Sequence, residues 1–186
     1  MRKIFVAIGL VALFAGCIPS LRPLYTEKDL VFEPGLVGTW TAEDGKEVWK
    51  FEKAGENAYK LAYSSGGKAA NFDARLLRLG KTLFLDLYPE KMEAGNDFSR
   101  AHFIPVHTFY HASIEGNFLR LWTLDPDKLK KRLNAGTAKL AHESSDDGLL
   151  LTASTEELQR FVLSVLDESD MFDEMYDKDG GLQRKK

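Results

Sequence analysis

The sequence has little cysteine, no cluster of basic residues and no long hydrophobic run. Its 186 residues contain one cysteine, Cys17, so no intramolecular disulfide forms and the fold must be stabilised by packing. The formal net charge is −3 and we find no basic stripe, which argues against a nucleic-acid partner. The longest apolar run, Ile4 to Ala15, has about a dozen residues, whereas a membrane-spanning helix needs about 20.

The N-terminal segment has the layout of an export signal. Arg2 and Lys3 precede the apolar run, and the small residue Gly16 ends it directly before Cys17. We predict that residues 1–16 are a signal peptide and that they are cleaved from the chain.

The stretch Leu13-Phe14-Ala15-Gly16-Cys17 resembles the lipobox of bacterial lipoproteins, with phenylalanine where leucine is usual. In that family the cysteine sulfur receives a diacylglyceryl group, a dedicated peptidase cuts before the cysteine, and its amine is acylated, for example with palmitate. The resemblance implies that Cys17 is lipidated and that the bilayer is a partner. Ile18 stands where aspartate would resemble an inner-membrane retention signal in enteric bacteria. A cell with two membranes would therefore carry the protein on the periplasmic face of its outer membrane, and a cell with one membrane on the outer face of that membrane.

The rest of the chain divides into three predicted parts. Residues 17–35 contain the lipidated cysteine and a tether, in which three prolines prevent a continuous helix and apolar residues provide anchor points. A single β-rich domain with two helices is predicted over residues 36–166. The charged residues 167–186 are predicted to form a flexible tail.

The domain is predicted to be mainly β (α+β), because apolar residues alternate with period two in short segments bounded by turn residues. The predicted strands are Leu36–Ala42, Glu47–Glu52, Ala58–Ser64, Phe72–Leu79, Thr82–Tyr88, His102–Ile114 and Phe118–Leu124, with a further pair at Thr137–His142 and Leu149–Ala153. Seven to nine such strands predict an antiparallel meander. We expect it to form a closed or half-closed barrel, because closure removes exposed edges.

Two helices are indicated by their capping residues. Asp125-Pro126 predicts the start of the first helix, which should end at Gly136. The second should start at the capping box of Ser154 and Glu157. Its apolar stripe, from Leu158 to Leu166, predicts that this C-terminal helix packs on the outer face of the sheet.

The triplet Gly38-Thr39-Trp40 resembles the Gly-x-Trp that opens the barrel of lipocalins and their calycin relatives. In that family the tryptophan closes one barrel end and a late arginine lies across it. The candidates for this arginine are Arg120, Arg132 and Arg160. The wider layout, including Leu151 to Gln159, also resembles bacterial lipoproteins of similar length. The alternative for Trp40, Trp49 and Trp122 is that they are simply core residues.

The favoured function is that of a non-catalytic cell-envelope lipoprotein whose barrel binds a small apolar ligand or a partner protein. The candidate ligand-lining residues are Trp40, Tyr63, Arg120 and Trp122. We find no nucleophile motif and no phosphate-binding loop, and predict no cofactor.

The alternative function is a metal-assisted hydrolase that uses His107 and His111. On a strand their α-carbons would be about 13 Å apart, so a shared metal needs His142 or a carboxylate in addition. Asp86 is predicted to be on the surface, because Leu83, Leu85 and Leu87 on the opposite strand face should point to the core. The turn at Asp146-Asp147 is predicted to connect a hairpin.

Overall fold

The computed structural model of the chain describes residues 17–91, 96, 98, 101–145, 148–168, 170–176 and 181–185. The predicted signal peptide, residues 1–16, lies outside them, as do Asp146 and Asp147 of the predicted turn. All described strand pairings and both apolar cores lie within residues 17–185, which therefore form a folded unit. Among the described helices, none is long and apolar enough to traverse a bilayer.

The secondary structure consists mostly of short strands that follow one another along the chain. The strands are β1 (Gly38–Thr41), β2 (Glu47–Lys53), β3 (Tyr59–Ser65), β4 (Lys68–Leu79), β5 (Thr82–Pro89), β6 (Thr108–Glu115), β7 (Phe118–Leu124), β8 (His142–Ser145), β9 (Gly148–Leu151), β10 (Phe172–Glu174) and β11 (Leu182–Arg184). The described residues also form two α-helices, α1 (Pro126–Asn134) and α2 (Thr155–Val165). Two short 3₁₀ turns, Glu27–Asp29 and Pro34–Leu36, precede β1.

Eight antiparallel strands close into a barrel. Strands β1 to β7 pair in sequence order, and β11 closes the ring because it pairs with both β7 and β1. Strand β10 pairs with β7 further along the same edge, and β8 and β9 form a separate two-stranded sheet. This confirms the predicted fold class and selects the closed form of the barrel.

Alternation along each strand separates two apolar cores. Trp49 and Phe51 of β2, like Leu85 and Leu87 of β5, point into the barrel and belong to the interior core. Phe84, on the opposite face of β5, points outward into a second core, the outer core, which α2 covers with Leu158, Val162 and Val165. The predicted packing of the C-terminal helix on the sheet is thus confirmed.

Both helices begin where their caps predicted. Asp125 accepts a hydrogen bond from the Lys128 amide at 3.0 Å, with Pro126 in the first turn. The Ser154 hydroxyl accepts from the Glu157 amide at 3.3 Å, and the Glu157 carboxylate accepts from the Ser154 amide at 2.9 Å. These bonds satisfy amide groups that have no partner inside the helix.

Two strands begin several residues later than predicted. The strand predicted from His102 begins only at Thr108, because Pro105 lacks an amide hydrogen and His107 makes only an isolated bridge to Ser20. The segment predicted as Thr137–His142 becomes a strand only at His142. Its alternation reflects burial of Ala138 and Leu140 in the outer core, without pairing in a sheet.

The C-terminal region contains two strands where the sequence suggested a flexible tail. Strands β10 and β11 both lie between residues 167 and 186. Leu182 of β11 is fully buried in the interior core, and its strand supplies the eighth side of the barrel. Burial of this side chain and pairing along two edges explain why β11 forms among mostly charged residues.

Candidate functional site

One end of the barrel is closed by Trp40 and the turn before β1. Trp40 is fully buried, and its indole nitrogen donates a hydrogen bond to the Leu36 carbonyl at 2.9 Å. Leu36, the last residue of the 3₁₀ turn, is also fully buried. The Tyr59 ring stacks on Phe32 at 5.0 Å between centroids. This end of the barrel is therefore filled by side chains.

Arg184 of β11 is the arginine that lies across Trp40. Its guanidinium is 4.2 Å from the centre of the Trp40 ring, and it donates hydrogen bonds to the carbonyls of Val37, at 2.8 Å, and of Gly35. A side chain at Gly38 would come within 2.5 Å of this guanidinium, at a backbone φ of 141° that disfavours other residues. These contacts explain why glycine precedes the tryptophan by two residues.

The three arginines that the sequence suggested for this position lie elsewhere. Arg132 of α1 pairs with Glu168, Arg160 is exposed on α2, and Arg120 lies on the outer face of β7. Arg184 was missed because it lies among charged residues. Leu182, two residues earlier on the same strand face, was the available signal that this segment continues the period-two pattern.

The opposite half of the barrel contains an apolar cavity of about 200 Å³. The lining residues come from β2 to β6, the tether and the segment after β10: Cys17, Glu47, Trp49, Leu61, Tyr63, Phe72, Leu87, Thr108, Tyr110 and Met175. The volume corresponds to on the order of seven water molecules at ~30 Å³ each. A cavity with so few polar groups favours an apolar occupant over water.

Polar groups gather at one part of the cavity wall. The Tyr176 hydroxyl donates a hydrogen bond to the Glu47 carboxylate at 2.8 Å, and burial together with this carboxylate raises the pKa of Tyr176. The Trp49 indole N–H and the Tyr63 hydroxyl are buried without a hydrogen bond of normal length and angle in the described part of the chain. Both groups lie behind the surface of the wall, so the surface that a ligand meets is almost entirely apolar.

The thiol of Cys17 lies on the cavity wall. Its Sγ is 3.1 Å from the Tyr110 hydroxyl, and burial raises the pKa of the thiol. Cys17 also lines an outer groove of about 640 Å³ together with Ile18, Pro19 and Val106. The residue predicted to be lipidated thus lies between the inside of the barrel and its outer surface.

The tether, residues 17–35, is fixed to the outside of the barrel by backbone hydrogen bonds. The amide and carbonyl of Ser20 pair with His107 at 2.9 and 2.8 Å. The amides of Leu21 and Leu151 complete a bridge to β9, at 2.9 Å each. Further along, Gln159 of α2 donates to the Leu24 carbonyl at 2.8 Å. These bonds hold Cys17 at a defined place on the barrel.

A buried Asp86–His107 pair lies beneath the tether. Asp86 accepts hydrogen bonds from His107 Nδ1 at 2.7 Å and from the Leu24 amide at 2.9 Å. Burial raises the pKa of Asp86, and the hydrogen bond from His107 opposes that effect. The prediction that Asp86 is on the surface is wrong, because the tether covers it and leaves the residue only 1 % exposed.

The histidines considered as metal ligands lie in separate surroundings. His107 is bound to Asp86, whereas the His111 ring stacks on Trp122 at 4.6 Å between centroids. His142 Nδ1 lies 2.8 Å from the Leu140 carbonyl. Among the described residues, no three His, Cys, Asp or Glu side chains are placed to hold a metal ion. The hydrolase alternative therefore gains no supporting observation.

The four candidate ligand-lining residues are divided among three places. Tyr63 lines the cavity, and Trp40 is packed in the closed end. Arg120 and Trp122 lie on the outer face of β7, since Leu119 and Leu121 between and beside them point inward.

Sequence reasoning missed Tyr110 and Cys17 as parts of the cavity wall. The alternation on β6 was a usable signal for Tyr110, but nothing in the sequence indicates that the tether returns to this strand. No family model matches the chain, and neither a curated protein nor a solved structure is significantly similar to it.

Proposed function

We propose that this protein is a non-catalytic cell-envelope lipoprotein that binds a small apolar ligand in its barrel. The observation that carries the proposal is the apolar cavity with Cys17 on its wall. Burying an apolar group gains about 0.8 kcal/mol per methylene, so a ligand that fills this volume has a sufficient driving force.

The anchor is a diacylglyceryl group on Cys17. In this modification a carbon–sulfur bond forms while the carbon–oxygen bond between the glyceryl group and the phosphate of a donor phospholipid breaks, and the thiol proton leaves with the phosphate. One acyl chain holds a protein only marginally to a bilayer, whereas two or three hold it stably. Metabolic labelling with palmitate should mark the wild-type chain in the membrane fraction and leave a Cys17→Ser variant unlabelled. A labelled variant would contradict the anchor.

Binding is tested with 1-aminoanthracene, a fluorophore that becomes brighter in apolar surroundings, and the chain comprising residues 17–186. We expect saturable binding to one site. Leu61→Phe should weaken it at least tenfold, because Leu61 is buried on the cavity wall and the larger ring takes up its space. The matched control is Leu163→Phe, on the exposed side of α2, which should bind as the wild type does.

Two results would contradict the ligand-binding proposal. One is the absence of saturable fluorescence, and the other is equal binding by the wild type and Leu61→Phe. A partner protein would then be the remaining candidate for the binding role of this lipoprotein. Circular dichroism spectra that match the wild type establish that each variant is folded.

A further inference from the structure

The position of Cys17 on the cavity wall indicates which molecule reaches the cavity most easily. We infer that the first part of the lipid attached to Cys17 enters the barrel cavity of about 200 Å³ when the anchor is not inserted in a bilayer, and excludes other ligands while it is there. The inference rests on the proposed function, because it requires both lipidation and a cavity that accepts apolar groups.

A substituent on Cys17 can extend in two directions, into the barrel cavity or along the outer groove. Its Sγ lies on the wall of the apolar cavity, 3.1 Å from the Tyr110 hydroxyl, and the same residue lines the outer groove. A glyceryl group on this sulfur therefore starts at the cavity itself. Because the bonds of Ser20 to His107 fix the tether three residues later, the sulfur cannot move far from this place.

The chemistry of the wall matches a hydrocarbon chain. Leu61, Phe72 and Leu87 line the cavity, together with Trp49, which is only 4 % exposed. This apolar wall suits the methylenes of an acyl chain.

Covalent attachment gives this occupant an advantage over a free ligand. A group held by a short flexible link has an effective concentration in the millimolar range. A free ligand of similar intrinsic affinity enters only when the attached chain leaves. Methylenes are buried equally well in a bilayer, so insertion of the anchor can withdraw the chain and open the cavity. Ligand binding would then be coupled to membrane attachment.

The single cysteine allows a direct test. The unlipidated chain of residues 17–186 is treated with hexyl methanethiosulfonate or methyl methanethiosulfonate, each of which forms a mixed disulfide at Cys17 and releases the sulfinate. Binding of 1-aminoanthracene is then measured for the two adducts and the untreated chain. The methyl adduct is the matched control for modification of the thiol without filling the cavity.

We expect the hexyl adduct to bind the fluorophore at least tenfold more weakly than the methyl adduct, with affinity restored after reduction of the disulfide. Equal binding by the two adducts would overturn the inference and leave the proposed ligand site intact. If the untreated chain fails to bind, the proposed ligand site fails, and the inference fails with it. A higher unfolding temperature of the hexyl adduct is a second readout, because a chain inside the cavity stabilises the folded state.

Discussion

At the scale of single residues, Cys17 is the tether residue that lines the cavity. Its thiol contacts a tyrosine hydroxyl on the barrel wall and is half-buried. The thiolate is the reactive form of cysteine, and burial in apolar surroundings disfavours it. Folding therefore reduces the reactivity of this sulfur, so the proposed acylation would have to precede docking of the tether.

This reasoning predicts a pH dependence of alkylation. In the unlipidated chain of residues 17–186, iodoacetamide should react with Cys17 more slowly than in the same chain unfolded in urea, and the rate should rise at higher pH in the folded form. Because burial raises the pKa of this thiol, its contribution to stability is present below the ordinary pKa and is lost as the pH rises through the folded-state pKa. Identical rate profiles for folded and unfolded chains would contradict the burial of the sulfur.

The burial of a side chain was predictable where it follows the strand period. It was not predictable where another segment of the chain covers the strand. The alternation on β5 correctly placed Leu85 and Leu87 in the core. The same alternation put Asp86 outside the barrel, which is where it lies, but a single strand gives no information on what covers its outer face. Only the docked tether turns this outward position into a buried one.

At the scale of elements, the tether behaves as part of the domain. The Asp86 carboxylate accepts a hydrogen bond from the Leu24 amide of the tether and a second one from the His107 ring. The backbone of Ser20, also in the tether, pairs with the backbone of His107. A buried donor that loses its acceptor costs the free energy of its desolvation. The Asp86 carboxylate is therefore expected to decide whether the tether stays docked.

We predict that Asp86→Ala lowers the free energy of unfolding by about 3 kcal/mol, because two buried donors lose their acceptor. Hydrogen exchange at the Leu24 amide should become faster, which reports release of the tether specifically. The control is Asp73→Ala, which removes a partly exposed ion pair with Lys60 and should lower the free energy of unfolding far less than Asp86→Ala does. Unchanged exchange at Leu24 in Asp86→Ala would show that the carboxylate does not hold the tether.

The sequence patterns were sufficient for most elements of the barrel. Strand β7 was predicted with the observed bounds, Phe118–Leu124, since turn residues and apolar residues on both faces define it. Strands β10 and β11 were not predicted, because three-residue strands in a charged segment have too little alternation to be recognised. Their stability comes from pairing with β7 and β1, which is a tertiary effect.

At the scale of the whole molecule, closure joins the beginning of the domain to the C-terminal region. Arg184 lies over Trp40 and donates to the carbonyls of Gly35 and Val37, so it connects β11 to the turn before β1. The side chain combines a cation–π contact with hydrogen bonds from a charged donor. Loss of the side chain is expected to weaken the closed ring.

We predict that Arg184→Ala lowers the free energy of unfolding by about 2 kcal/mol, measured by urea denaturation followed by tryptophan fluorescence. Arg184→Lys should recover only part of the loss, because lysine keeps the charge without the planar group of donors. Lys185→Ala, at the exposed neighbouring position, should leave the denaturation midpoint unchanged. A midpoint for Arg184→Ala equal to that of the wild type would show that the arginine has no part in closure.

The order of the strands has a consequence for how the molecule is made. A polypeptide that emerges amino end first, from a ribosome or through a translocation pore, delivers β11 after every other side of the barrel. Until then the Phe118–Leu119 part of β7 and one edge of β1 have no partner strand, and the ring has a gap. The barrel can therefore close only after β11 has emerged, whatever the order in which the earlier strands pair.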